Sequence, residues 1–235
     1  MNNTATMPQQ LSRAEVMNAF MRSIYNWMSL GLGLTAVIAF AFTYTGLSAF
    51  IYSPTGQTIG LACIVAELIL VFTLSARVQK MKADTATGMF MLYSALNGFT
   101  LSFVLISYNV GSVVQAFIAT AGMFGAMSLY GLYTKKDLTS WGSLLFMGLI
   151  GLIIAMVVNI FLESSMMNML ISLVGIVIFL GLTAYDTQLF REMGSNMPAD
   201  EAVIRKGAVM GALSLYLNFI NIFLMILRFM GASRD

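Results

Sequence analysis

The chain has 235 residues, of which 59% are hydrophobic and only 9% charged, with a mean hydropathy of +0.85. A soluble domain carries roughly 25% charged residues, so there is too little charge here to cover a water-facing surface, and the composition indicates an integral membrane protein. The net charge of +2 from scattered basic residues, the lack of histidine and the single Cys63 exclude a nucleic-acid face, an intramolecular disulfide and Cys-based metal clusters.

Residues 1–25 read as a polar, mildly amphipathic arm. No basic stretch runs into an apolar core, so no signal peptide and no cleavage are expected. Seven apolar segments follow, at about 26–50, 56–76, 89–108, 112–133, 140–162, 167–188 and 207–229. Each approaches the ~20 residues that cross ~30 Å of hydrocarbon as a helix. The third and fourth are parted only by Asn109 to Ser112, where a tight turn is predicted, since a merged helix would be far too long for one crossing. These runs also exceed the ~9–11 residues of a barrel strand and lack sustained alternation. The expected architecture is therefore all-α: a seven-helix transmembrane domain over 26–231 with a short external tail at 232–235. The longest polar connection, 191–206, is too short to fold alone.

Charge gives the orientation. Arg13, Arg22, Arg77, Lys80, Lys82, Lys135, Lys136, Arg191, Arg205 and Lys206 fall on one side of the alternating segments, which is ten of the twelve basic residues. Arg228 and Arg234 flank the end of the last segment. The positive-inside rule then predicts a cytoplasmic N-terminus and, after an odd number of spans, an external C-terminus.

Polar residues in the spans carry the functional signal. On the last segment Gly211, Ser214, Asn218, Asn221, Met225 and Arg228 recur at spacings of three and four, which puts them on one face. Such a stripe either glues helices together or lines a polar cavity. Two other spans supply carboxylates, Glu67 in the middle of the second and Asp186 near the cytoplasmic end of the sixth. An intramembrane carboxylate must be paired, protonated or next to water. Arg77 closes the second span on the side of Asp186, and a salt bridge between them would shut a cytoplasmic opening. Asn97, Gln115 and Asn159 are further candidates to face inward. Glycine pairs Gly31/Gly33, Gly122/Gly125 and Gly148/Gly151 suggest close helix packing. The 20 methionines are scattered and read as core filler rather than a soft-metal relay. No histidine base accompanies any serine and no HExxH motif occurs, so the chain reads as a non-enzyme without cofactors.

The stretches AYDTQ at 184–188 and GALSLYLNFINIFLMILRFMG at 211–231 resemble the Bax inhibitor-1 (transmembrane Bax inhibitor motif) family, and RSIYNWMSLGLGLTA at 22–36 is similar to its bacterial members. The resemblance covers nearly the whole chain. It implies seven transmembrane helices with the last surrounded by the other six, a bacterial inner-membrane location, and a calcium leak whose opening depends on pH. Family members carry two interacting aspartates, one in the sixth helix and one in the seventh. The first matches Asp186, but the second position is Asn218 here. An Asp–Asn pair cannot share a proton as two carboxylates do, although it still offers oxygen ligands. The resemblance further implies that Arg77 binds the pair in a closed form, and that Glu67 and Arg228 lie near the permeation path. The expected cation path is thus Glu67, Asp186 and Asn218, with Arg77, Asp186 and Asn218 gating and Asn221 and Arg228 lining. Calcium is the expected permeant ion and the protein is taken as a monomer. Two alternatives stand beside the leak: a regulatory protein that binds a membrane protease or other membrane partners, and a proton-coupled transporter built on Glu67.

Overall fold

A computed structural model describes residues 12–231. These form eight helices: α1 (Arg13–Tyr44), α2 (Ser48–Tyr52), α3 (Pro54–Arg77), α4 (Ala83–Leu105), α5 (Val110–Tyr133), α6 (Thr139–Leu162), α7 (Ser165–Ser195) and α8 (Glu201–Phe229). All but α2 are long and apolar enough to cross a membrane, and no strand occurs among the described residues. The protein is a seven-transmembrane-helix bundle. The first eleven residues of the expected arm and the tail at 232–235 lie outside the described residues.

Local chemistry explains where the helices end. Ser12 and Glu15 form a reciprocal capping box at the start of α1, with the Ser12 amide donating to Glu15 Oε2 at 2.7 Å and the Glu15 amide to Ser12 Oγ at 3.3 Å. The helix therefore begins well before the apolar run, and Val16, Phe20, Met21 and Ile24 bury a stripe at helical spacing. It ends at Tyr44, short of the expected boundary, and the chain turns at Thr45 to Leu47 before the short α2. Ser53 caps α3, with Pro54 in its first turn, where a missing N–H costs nothing. The predicted turn between the third and fourth spans is present, and Asn109 caps α5 through the Ser112 amide at 2.8 Å. A one-turn 3₁₀ segment, Val78–Lys80, follows α3. Glu163, with φ of 49°, ends α6 in the left-handed region and lets α7 start two residues later.

The helices are unevenly buried. In the most apolar stretch of each, 72% of α8 lies inside the bundle, against 39% of α7 and 11% of α3 and of α6. Thus α8 is the innermost helix, packed on α1, α4, α5 and α7, while α7 shares the centre by packing on α1, α5, α6 and α8. Helices α3 and α6 sit at the rim, against α4 and α7 respectively. Glycine leaves room for close backbone approach at two places: a Cβ on Gly131 of α5 would collide with the Ala184 carbonyl of α7, and one on Gly98 of α4 would lie 2.7 Å from the Thr35 carbonyl of α1. Most of the glycines singled out for packing behave differently. Gly31 abuts Phe90 and Gly148 approaches Ile178, but Gly33, Gly122, Gly125 and Gly151 face open space. Gly–x–x–Gly spacing shows which residues share a face, not whether that face meets protein or lipid.

Candidate functional site

The expected polar residues fall into two separate hydrogen-bonded groups. The first is centred on Asp186 of α7. Its Oδ2 accepts from Ser214 Oγ at 2.7 Å and from Asn218 Nδ2 at 2.8 Å. Ser214 and Asn218 are one helical turn apart on α8, so a single carboxylate oxygen is bracketed by successive turns of the innermost helix. Such bonds to a charged group are worth about 1.5–3 kcal/mol each. Asp186, Ser214, Asn218 and Asn221 line a cleft of about 390 Å³ whose opposite wall is Leu149, Ile153 and Met156 of α6. The polar stripe on α8 is therefore split: Ser214, Asn218 and Asn221 face this cleft, whereas Gly211 packs on Ile24 of α1.

The second group surrounds Glu67 of α3. Glu67 Oε1 accepts from Thr100 Oγ1 at 2.8 Å and Oε2 from Asn97 Nδ2 at 3.3 Å. Asn97 and Thr100 are three residues apart on α4 and so face α3 together. Asn97 Oδ1 in turn accepts from the Tyr216 hydroxyl of α8 at 2.9 Å. That hydroxyl also lies 2.7 Å from Thr35 Oγ1 of α1, which bonds to the Ser94 carbonyl at 2.7 Å. Tyr216 is fully buried, with its ring edge-on to Phe90 and Tyr93. Tyr216 lies outside the stripe of Gly211, Ser214, Asn218, Asn221, Met225 and Arg228. The available signal was the hydroxyl itself, because a buried tyrosine O–H needs a partner.

Glu67 does not line the cleft at Asp186. Arg77 is not joined to Asp186 either. It is exposed at the end of α3, and the one ion pair among the described residues is Arg205 with Asp84 at 2.8 Å. The expected closing salt bridge is thus absent from this arrangement, and the neutral donors Ser214 and Asn218 occupy the carboxylate instead. Arg228 is exposed near the far end of α8, away from the cleft and close to Tyr108. Burial pushes the Tyr108 phenol above its ordinary pKa, and the positive charge of Arg228 opposes that rise. Asn159 is buried and holds the α6–α7 turn through Asn168 and the Ser164 amide, while Gln115 is exposed rather than inward-facing.

Basic residues at the other end of the bundle tie helices together. Arg205 lies 5.7 Å from the centre of the Trp27 ring besides its bond to Asp84. Arg191 donates to the Leu132 carbonyl at 2.6 Å near the end of α5, and Lys206 to the Gln79 carbonyl at 3.3 Å. Gln188 receives the Leu138 amide and donates to the Lys136 carbonyl, both at 2.8 Å, which fixes the α5–α6 connection to α7. Tyr25, Ser128 and Thr187 link α1, α5 and α7 through their hydroxyls.

The Asp186 group offers one carboxylate, two amides and a hydroxyl, all hard oxygen donors. Calcium usually takes ~6–8 oxygens, so these residues suit brief contact with a partly hydrated cation rather than a closed site. No cluster of three or more acidic or cysteine side chains converges among the described residues.

Comparison with known proteins agrees with this picture of a membrane bundle. Residues 17–235 match the family described as "Inhibitor of apoptosis-promoting Bax1". The chain is 46% identical over 220 residues to "Inner membrane protein YbhL" of Escherichia coli K12, covering 93% of both chains. It is 43% identical to a protein of Borreliella burgdorferi, covering 97% of this chain and 98% of that one, and 41% identical to one of Deinococcus radiodurans, covering 97% and 96%. With the match spanning nearly the whole bundle, the chain belongs to the Bax inhibitor-1 family of membrane proteins.

Proposed function

We propose that the protein is a proton-influenced cation leak of the bacterial inner membrane, with calcium as the permeant ion and with its response to pH weakened by Asn218. The observation that carries this reading is the Asp186 carboxylate, held by the neutral donors Ser214 and Asn218 at the wall of a cleft between α6, α7 and α8. A carboxylate inside the hydrocarbon layer without a cationic partner is costly, and such residues mark paths for ions or protons. Asn221 extends the oxygen lining of that cleft. The printed name of the Escherichia coli relative supports the inner membrane as the location. The ten basic residues on one side favour a cytoplasmic N-terminus and an external C-terminus.

In this reading Asp186 and Asn218 form the gate, and Glu67 is a separate half-buried carboxylate held by Asn97 and Thr100. Closure by Arg77 would require a second arrangement in which its side chain leaves the surface and reaches Asp186, whose Oδ2 already accepts from Ser214 and Asn218. The deciding experiment is calcium and sodium flux through the purified protein in liposomes, from mildly acid to mildly alkaline pH. Calcium flux abolished by Asp186→Leu in a folded protein is the expected result. Absence of flux at every pH would overturn the leak and favour the regulatory role among membrane partners, and proton-coupled counterflow would favour the transporter.

A further inference from the structure

At the centre of the bundle two hydroxyl protons serve three oxygen–oxygen contacts. Thr35 Oγ1 lies 2.7 Å from the Ser94 carbonyl and 2.7 Å from the Tyr216 hydroxyl, and that hydroxyl lies 2.9 Å from Asn97 Oδ1. Thr35 and Tyr216 bring one proton each. If Tyr216 donates to Asn97, Thr35 can supply either Tyr216 or Ser94, and the remaining contact has no proton. Thr35, Ser94 and Tyr216 are all buried.

The other end of the chain decides which way the Asn97 amide points. Its Nδ2 faces Glu67 Oε2 at 3.3 Å, as an ionised carboxylate requires, because it can only accept. A neutral Glu67 removes both constraints. Oε1 continues to accept from Thr100 at 2.8 Å, so Oε2 is the oxygen left to carry the proton. Its O–H donates to Asn97 Oδ1, and the amide, with its oxygen and nitrogen exchanged, donates from Nδ2 to the Tyr216 oxygen. Tyr216 then donates to Thr35, and Thr35 to the Ser94 carbonyl. Every contact now holds one proton. The exchange is a half-turn of the amide about its own axis that ends with the heavy atoms in nearly the same places, since the two ends of an amide have nearly the same shape.

We propose that Glu67, Asn97, Tyr216 and Thr35 form a proton-operated hydrogen-bond switch, in which protonation of Glu67 turns over the Asn97 amide and reverses the direction of the hydroxyl chain between α3, α4, α8 and α1. The titratable groups that feel the charge of Glu67 are Cys63 on its own helix, Tyr93 on α4 and Tyr216 on α8, and no ion pair neutralises it among the described residues. The switch passes the protonation state of a rim helix to the innermost one. It involves none of the residues at Asp186 and does not depend on which ion, if any, the protein conducts.

The test is infrared difference spectroscopy of the protein in lipid bilayers between alkaline and acid pH. Acidification should produce a carboxylic C=O band that is absent in Glu67→Gln. It should shift, with the same midpoint, a tyrosine C–O band that is absent in Tyr216→Phe, a variant that keeps the ring packing on Phe90 and Tyr93. In Asn97→Leu the carboxylic band should persist and the tyrosine shift should vanish. Glu67→Gln, whose amide nitrogen can donate to Asn97 as the neutral acid does, should hold the tyrosine band at its acid position at every pH, which keeps the test decisive even if Asn97→Leu does not fold. The proposal is overturned if no carboxylic band assignable to Glu67 titrates while the protein stays folded. It is equally overturned if the tyrosine band stays fixed as Glu67 titrates, or if Glu67→Gln leaves that band at its alkaline position.

Discussion

Asn218 donates to the same carboxylate oxygen of Asp186 that Ser214 reaches from one turn earlier, at 2.8 and 2.7 Å. Replacing Asn218 with Leu deletes one of the two donors and should cost about 1–3 kcal/mol of stability, the usual penalty for stripping a partner from a buried charged acceptor. Asn218→Asp instead places two carboxylates in contact, where they hold one proton between them. On the proposed function, calcium flux in liposomes should then depend more steeply on pH than in the native protein. Superimposable flux profiles for the native protein and both variants would return Asn218 to a purely structural role.

Because Arg77 is exposed and unconnected to Asp186, the pair should be energetically independent in this arrangement. Arg77→Ala should change stability by no more than about 0.5 kcal/mol. Combined with Asp186→Asn, its effect should add to that of the second change within about 0.5 kcal/mol. A double-mutant cycle on unfolding in detergent or bicelles measures the coupling. Coupling well above that value would show that the ion pair forms in a populated second arrangement.

Two glycines in helices should respond oppositely to alanine. Gly131→Ala drives a methyl into the Ala184 carbonyl, so α5 and α7 must separate, at a cost of about 1–3 kcal/mol. Gly151→Ala meets nothing within 4 Å and should gain up to about 1 kcal/mol from helix propensity. Thermal unfolding of the two variants in one lipid environment compares them directly, and equal shifts would contradict the close α5–α7 contact.

Glu163 ends α6 at a φ of 49°, a conformation that L side chains adopt at a cost. Glu163→Gly should therefore raise stability by about 0.5–1 kcal/mol, provided the Asn159 bonds to Asn168 and Ser164 persist. A higher midpoint of thermal unfolding is the expected reading. A lower one would mean that the side chain or the unfolded-state entropy of glycine outweighs the backbone strain.

Reporter fusions at Thr6 and after Asp235 should report opposite faces of the membrane, the first cytoplasmic. The expectation follows from seven alternating crossings and the ten basic residues on one side. Signals from the same face in folded fusions would break the odd count, and a periplasmic signal at Thr6 would reverse the orientation.

The sequence by itself determined the class and the number of crossings, because hydrocarbon thickness sets how long an apolar run must be and satisfied backbone groups demand a helix. It also singled out Asp186, Asn218 and Glu67, since polar groups in such runs are expensive wherever they point. The family resemblance paired Asp186 with Asn218, and tertiary structure decided the other partners. Asp186 reaches Asn218 and Ser214 because α7 and α8 pack along much of their length, whereas Glu67 rides on a rim helix and turns to Asn97 and Thr100 instead. The expected Arg77 contact did not form, and Tyr216 emerged as the join between α1, α4 and α8. Spacing along one helix fixes which residues share a face, but the neighbour that face meets depends on how seven helices are arranged around one another. That arrangement is set by close contacts such as Gly131 on Ala184 and Gly98 on Thr35, between residues far apart in the chain.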